Sequence, residues 1–190
     1  MGLFTVIDHR AFKTLHLIAG EFQSYAPIGT VSNGRIQLDG SRIGVEELSA
    51  SYKIINKWMG RVYIYTWMWT LHDKGPEEDL VIKCEFSGKM KTGRQVRFFS
   101  KSHAPLVEWL NQDKRIKELC NSIDYELLEL RYSSREQRWR VEMRPNYGDF
   151  IWILLPPVKY ARKPKPQEIQ DTMSLIKRLA KLIKKEERGV

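Results

Sequence analysis

Residues 61–72, RVYIYTWMWTLH, constrain the fold of this chain more than any other stretch. They contain no Gly or Pro and consist largely of the β-branched and aromatic residues that suit a pleated surface. Side chains alternate between faces along a strand, so Val62, Ile64, Thr66, Met68 and Thr70 share one face. Tyr63, Tyr65, Trp67, Trp69 and Leu71 share the other. Neither face is plainly polar, which predicts a central strand covered on both sides.

The remaining periodicities supply partners for that strand. An apolar stripe of Phe12, Leu15, Ile18 and Phe22 predicts a first helix from Asp8, its cap, to about Tyr25, ended by Pro27 and Gly29. Asn33-Gly34 between residues 30–32 and 35–38 is a two-residue hairpin signal, because both turn positions need positive φ. After a poorly patterned connection holding Gly40 and Gly44, residues 52–58 alternate weakly and pair with the opening strand across Met59-Gly60. Residues 80–87 place Leu80, Ile82, Cys84 and Phe86 inward, with Lys83 and Glu85 outward. Residues 94–100 return across a turn holding Gly88 and Gly93.

A middle helix follows, with Ser102 as cap and Pro105 in its first turn, running to about Asn121. Its stripe drifts, predicting a break near residues 111–113. In residues 124–132 the apolar phase slips by one, the mark of a β-bulge near Leu127-Leu128. Residues 137–144 put Trp139, Val141 and Met143 inward and Arg138, Arg140, Glu142 and Arg144 outward. Residues 150–155 are apolar on both faces, so they too read as a central strand. A last helix spans residues 167–187. Its apolar side chains fill about half the circumference, and Lys177, Arg178, Lys181 and Lys184 lie opposite.

The fold expected is α+β: a largely antiparallel, curved sheet of about seven main strands with N-terminal, middle and C-terminal amphipathic helices packed on it. At 190 residues one domain, residues 1–190, accounts for the chain. Residues 61–121 and 123–187 each read as three strands and a helix. They stand as tandem half-units without residue-level similarity.

The formal net charge is +9, from 32 Lys and Arg against 23 Asp and Glu. Residues 157–190 hold 10 of the basic and 4 of the acidic side chains, so the excess concentrates in the tail. Such a tail suits nucleic acid, an anionic membrane or an acidic protein. Cys84 and Cys120 are the only cysteines and have no close pairing in sequence, which gives neither a disulfide framework nor a zinc spacing. The amino-terminal residues lack the pattern of a signal peptide, and no run is long enough to span a membrane. A cytoplasmic location is the expectation.

Little in the sequence points to catalysis. No G-x-S-x-G elbow occurs, Cys84 reads as an inert core thiol, and Cys120 has no basic neighbour fixed beside it. His9 and His16 are too far apart to share an ion, and His72, Asp73 and the 77–79 acidic run read as a solvated turn. The glycine-rich residues 32–44 lack the Lys-Ser/Thr ending of a phosphate loop. The expectation is therefore a non-enzymatic domain without metal or cofactor. It would bind a small apolar ligand or a protein partner through an aromatic-lined sheet–helix cavity or surface that uses Tyr63, Tyr65, Trp67 and Trp69. The alternative is nucleic-acid binding through Arg138, Arg140 and Arg144, joined by Arg94 and Arg97 if those strands are neighbours. Lys177, Arg178 and Lys181 of the last helix would extend that surface.

Overall fold

The computed structural model describes residues 3–32, 34–73, 75–87, 94–102, 104–154 and 157–186. Asn33, the turn expected at residues 88–93, His103, Leu155-Pro156 and Glu187 lie outside them. The order is α1 (Leu3–Gly20), β1 (Ile28–Ser32), β2 (Arg35–Leu38), a 3-10 turn (Ser41–Ile43), β3 (Glu47–Lys57), β4 (Gly60–His72), β5 (Leu80–Ser87) and β6 (Gln95–Ser100). Then come α2 (Pro105–Gln112), α3 (Lys114–Ser122), β7 (Tyr125–Ser133), β8 (Arg138–Pro145), β9 (Phe150–Ile153), β10 (Val158–Ala161) and α4 (Pro166–Glu186). The fold is α+β, with ten strands in one open antiparallel sheet.

Along its main path the sheet runs β1-β2-β3-β4-β8-β7-β5-β6. β4 is central, as its composition requires, and it is also where the sheet forks. Trp67 to His72 pair with β8, whereas Gly60 to Tyr63 pair with β9, which in turn carries β10. At the fork a side chain stands in for a strand: the Tyr65 N–H donates to Asp149 Oδ1 at 2.7 Å. An unpaired buried N–H is costly, so Asp149 supplies what neither β8 nor β9 reaches. Burial pushes the Asp149 carboxyl up, against that N–H, which favours its charged form.

The two faces of β4 differ more than its sequence implies. Tyr63, Tyr65, Trp67, Trp69 and Leu71 are buried in the core beneath the helices. On the other face Thr66 and Thr70 are buried, but Val62, Ile64 and Met68 remain partly exposed, among polar and charged neighbours. The expectation of two-sided apolar cover is corrected in the same way for β9. Only Phe150 of that strand is buried, and Leu154 beyond it is exposed, because β9 sits on a branch and not in the middle of the sheet.

Several boundaries also differ. α1 begins five residues before Asp8, which caps nothing. Its carboxylate instead accepts from Arg61 Nη1 (2.6 and 2.7 Å) and the Tyr63 hydroxyl (2.5 Å), tying α1 to β4. Burial would raise the Asp8 carboxyl, but these donors outweigh it and hold it low. The cap position of α2 is Ala104 and not Ser102, and no side chain bonds there. The break expected near residues 111–113 falls at Asp113, which ends α2 and caps α3 by accepting from the Ile116 N–H at 3.0 Å. The same carboxylate holds Arg178 of α4 at 2.8 Å, so one residue ends a helix, starts the next and clasps a third. The strand irregularity of β7 lies between Tyr125 and Leu127, one residue from the expected bulge.

The helices cover the core face. One continuous cluster joins Leu15 and Ile18 of α1, Phe22 in the turn after α1 (which ends at Gly20 and not near Tyr25), Leu106 and Leu110 of α2, Ile116 and Leu119 of α3, and Leu175, Ile176 and Leu179 of α4 to the inward side chains of the sheet. Burying each of these large side chains contributes about 1.5–3 kcal/mol. A smaller cluster of Ile7, Ala11, Tyr63 and Phe150 fastens the amino-terminal half of α1 over the β4–β9 branch.

Candidate functional site

The four aromatic residues expected to line a cavity share the covered face of β4, each at most 2% exposed. Three of them belong to a chain of ring contacts: Phe150–Tyr63–Tyr52–Tyr65–Trp67–Phe22–Tyr147, with centroids 5.0 to 6.1 Å apart. All but the stacked Phe22–Tyr147 pair are edge-on, which sets the positive edge of one ring on the negative face of the next. Trp67 Nε1 donates to the Tyr147 hydroxyl at 3.1 Å, and that hydroxyl shares a second bond with Thr172 of α4 at 2.8 Å. Burial pushes the Tyr63 hydroxyl up to about 12, with the Asp8 carboxylate adding to the shift. Three buried donors on this face, Tyr65 Oη, Trp69 Nε1 and Trp139 Nε1, have no hydrogen-bond partner among the described residues.

The basic residues expected to form one surface are divided. Arg138, Arg140 and Arg144 lie on the open face of β8, but carboxylates neutralise most of that face. Arg144 holds Glu142 at 2.5 Å, Arg138 reaches Glu47 at 3.8 Å and His72 at 3.1 Å, and Glu46 pairs with His72 at 2.5 Å. Glu142 stands opposite Glu129 of β7, a like-charge pair relieved by Arg144 on one side and Arg131 on the other. Arg140, exposed, is opposite Arg131.

Arg94 and Arg97 do not join them. They belong to the β6 edge, with β5 and β7 between it and β8. Arg94 pairs with Asp124 at 3.1 Å and lies 3.3 Å above the Phe86 ring.

Lys177, Arg178 and Lys181 sit across the sheet on α4. Arg178 is engaged by Asp113, whereas Lys177 and Lys181 make no ion pair with any described residue. They line a groove of about 600 Å³ with Ser41, Arg42, Ile43, Gly44, Ala180 and Lys184. Helix geometry places Lys177, Lys181 and Lys184 on one stripe, about 6 and 4.5 Å apart along the axis. The opposite wall is the 3-10 turn, set in place by the Lys184 ammonium, which donates to the Gly44 carbonyl at 2.8 Å. Gly44 adopts φ +82°, and a Cβ on Gly40 would stand 2.3 Å from the Val45 side chain, so both glycines are required by this compact turn. Buried Ile43 and Ala180 form an apolar floor. Among the described residues four cations and no carboxylate line the groove, with the Asp39 carboxylate beside it accepting from the Ser41 N–H at 3.0 Å, an arrangement that attracts anionic groups.

Arg42 is the member that pattern reading missed, since the residues around it have no regular period. The glycine-rich stretch dismissed as a phosphate loop does lie against lysines, but they come from a helix more than a hundred residues later. The thiols bring a second correction. Cys84 is half-buried, not sealed in the core, and it meets Cys120 and the Tyr125 hydroxyl, the latter at 2.9 Å.

Fold and site together define an α+β protein with an open antiparallel sheet, helices on one face, and a basic groove between its last helix and a 3-10 turn. The chain belongs to the family described as "Protein of unknown function (DUF3156)", whose model matches residues 20–183. That match takes in all ten strands and begins at the last residue of α1. No curated protein and no solved structure matches the chain significantly. Among the described residues no helix is long and apolar enough to cross a membrane, and no group of three or more His, Cys, Asp or Glu is placed to hold a metal ion.

Proposed function

We propose that this chain is a non-catalytic, cytoplasmic binding domain for a polyanion, with a nucleic-acid backbone as the first candidate, engaged in the groove between the 3-10 turn and α4. The carrying observation is the lining itself: Arg42, Lys177, Lys181 and Lys184 over an apolar floor, with no acidic residue among them. The reading keeps the basic C-terminal helix of the sequence-level alternative. It leaves out Arg138 and Arg144, whose charge is already balanced by carboxylates.

Four backbone contacts to a single strand release counterions with a log–log salt slope of about −3. Single-stranded oligonucleotide and heparin should therefore be retained at low salt and released steeply as salt rises. Lys177→Glu/Lys181→Glu should weaken binding at least tenfold and flatten the slope by roughly half, whereas Arg138→Ala/Arg140→Ala should change it little. Salt-indifferent binding, or a double variant that binds like the parent, would sink the proposal.

A second reading rests on the three buried donors. Tyr65 Oη, Trp69 Nε1 and Trp139 Nε1 line the core face without partners among the described residues, and a buried donor of that kind calls for an explanation. A small, mostly apolar ligand with one or two acceptors held among Tyr63, Tyr65, Trp67 and Trp69 would supply it. Native mass spectrometry of freshly purified chain should then show an adduct lost on denaturation. A mass equal to that of the bare chain would remove this reading.

A further inference from the structure

We propose that Cys84, Cys120 and Tyr125 form a peroxide-reactive dithiol site, in which Cys84 is the attacking thiol and Cys120 resolves the product into an intramolecular disulfide. The site is independent of the basic groove and uses none of its residues.

Three elements bring the groups together: β5 meets α3 and β7, which follow one another later in the chain. β5 runs out of cover along its length: Leu80 and Ile82 are buried, while Cys84 and Phe86 on the same face are partly exposed. α3 presents Cys120, fully buried, against that point. β7 begins with Tyr125, whose hydroxyl lies 2.9 Å from Cys84 Sγ and whose ring packs 4.5 Å from that of Phe86. Arg94, fixed over Phe86 and paired to Asp124, adds a guanidinium to the rim. Cys84, partly exposed, shares a hydrogen bond with the Tyr125 phenol, and buried Cys120 adjoins it from the core side.

The neighbours treat the two thiols differently. The hydrogen bond from Cys120 holds Cys84 below the usual thiol range, outweighing burial, with Tyr125 and Arg94 acting in the same direction and Glu85 against it. The same contact and deeper burial push Cys120 well up. Cys84, partly exposed and bonded to the Tyr125 hydroxyl, is the sulfur an oxidant can reach, while Cys120 is enclosed. That is the division a nucleophile and a resolving thiol require, because the thiolate is the reacting form and access governs which one meets an oxidant.

The chemistry balances with hydrogen peroxide as oxidant. The Cys84 thiolate attacks one peroxide oxygen, the O–O bond breaks, and the departing hydroxide takes a proton to become water. Cys84 is left as a sulfenic acid. Cys120 then gives up its proton, its sulfur attacks Cys84 Sγ, and the S–O bond breaks to release a second water. Two thiols and one peroxide become one disulfide and two waters, and the new bond ties β5 to α3. Reduction by an excess of dithiol restores the pair.

The test uses the full chain, fully reduced, exposed to hydrogen peroxide and mapped by mass spectrometry. The expected product is a peptide pair joined through Cys84 and Cys120 in monomeric protein, reversed by dithiothreitol. In Cys120→Ser, dimedone should trap a sulfenic acid on Cys84, and in Cys84→Ser, Cys120 should stay unmodified over the same time. Removal of one hydroxyl donor by Tyr125→Phe should slow alkylation of Cys84 near neutral pH by about threefold, because the loss of thiolate is partly offset by its greater intrinsic nucleophilicity. Should either serine variant fail to fold, the unmodified chain decides: native Cys84 must react with iodoacetamide at least tenfold faster than Cys120. Equal rates, faster Cys120, over-oxidation of Cys84 with Cys120 left free, or disulfides only between molecules would each overturn the proposal.

Discussion

Replacing Trp67 by alanine is expected to cost about 3–5 kcal/mol of folding stability, the range for truncating a fully buried large aromatic. Trp67 is 0% exposed and sits where the sheet, α1 and α4 meet. Its ring touches Phe22, in the turn after α1, edge-on at 5.0 Å and Tyr65 of its own strand at 5.5 Å. Its Nε1–H donates to Tyr147, whose hydroxyl is bonded to Thr172 of α4. Truncation leaves a cavity the surrounding rings cannot fill by small movements, and it removes the donor to Tyr147. Thermal unfolding should then shift down by roughly 10 °C or more for a chain of this size. Trp67→Phe separates the two parts, since it keeps most of the ring volume and loses the hydrogen bond, for a net cost of about 1–2 kcal/mol. Urea titrations of the three proteins measure this directly. A loss below about 1 kcal/mol in Trp67→Ala would mean that the aromatic chain is not the keystone described.

Gly148→Ala should come close to that effect although it adds only a methyl group. Gly148 has φ +89°, a conformation that costs an L-residue about 1–2 kcal/mol. A Cβ there would also stand 2.6 Å from Tyr65 Cγ and 2.9 Å from Tyr65 Cβ. These are the rigid base of a side chain and not a movable tip, and Tyr65 is held further by its N–H bond to Asp149. Overpacking adds about 1–3 kcal/mol. Strain here acts on the fork itself, because the Gly148 N–H donates to Arg162 and its carbonyl accepts from Tyr52. Gly34→Ala is the control. Gly34 has φ +74° with nothing within 4 Å of an added Cβ, so it bears only the conformational cost, about 1 kcal/mol. Equal losses for the two variants, compared by chemical denaturation, would show that the contact with Tyr65 yields freely.

What could be read along the chain was local periodicity. The bounds of β5, the apolar half-circumference of α4, the break at Asp113 and the burial of Trp67 and Trp69 follow from spacing, which fixes which side chains share a face before any partner is known. The outward direction of the β8 charges follows as well, but not their pairing, since Glu142 pairs with Arg144 of its own strand and not across to a neighbouring one. The misses share a cause. β10, VKYA, has no buried residue and so no alternation to reveal it; it exists because β9 offers it an edge. β3 begins at Glu47, well before the expected start at residue 52, since eleven residue pairs with β4 decide its length and its own pattern does not.

The site divides along the same line. By itself the sequence determined the strand at residues 61–72, the charge of the last helix and the absence of local catalytic spacings. The tertiary structure alone decided that β4 forks, that Arg42 faces Lys177, Lys181 and Lys184, that two strands separate Arg94 and Arg97 from β8, and that Cys84 meets Cys120. Periodicity reports the direction of a side chain from its own backbone. Which groups converge in space depends on strand order and helix docking, and those are set by the summed burial of the whole core.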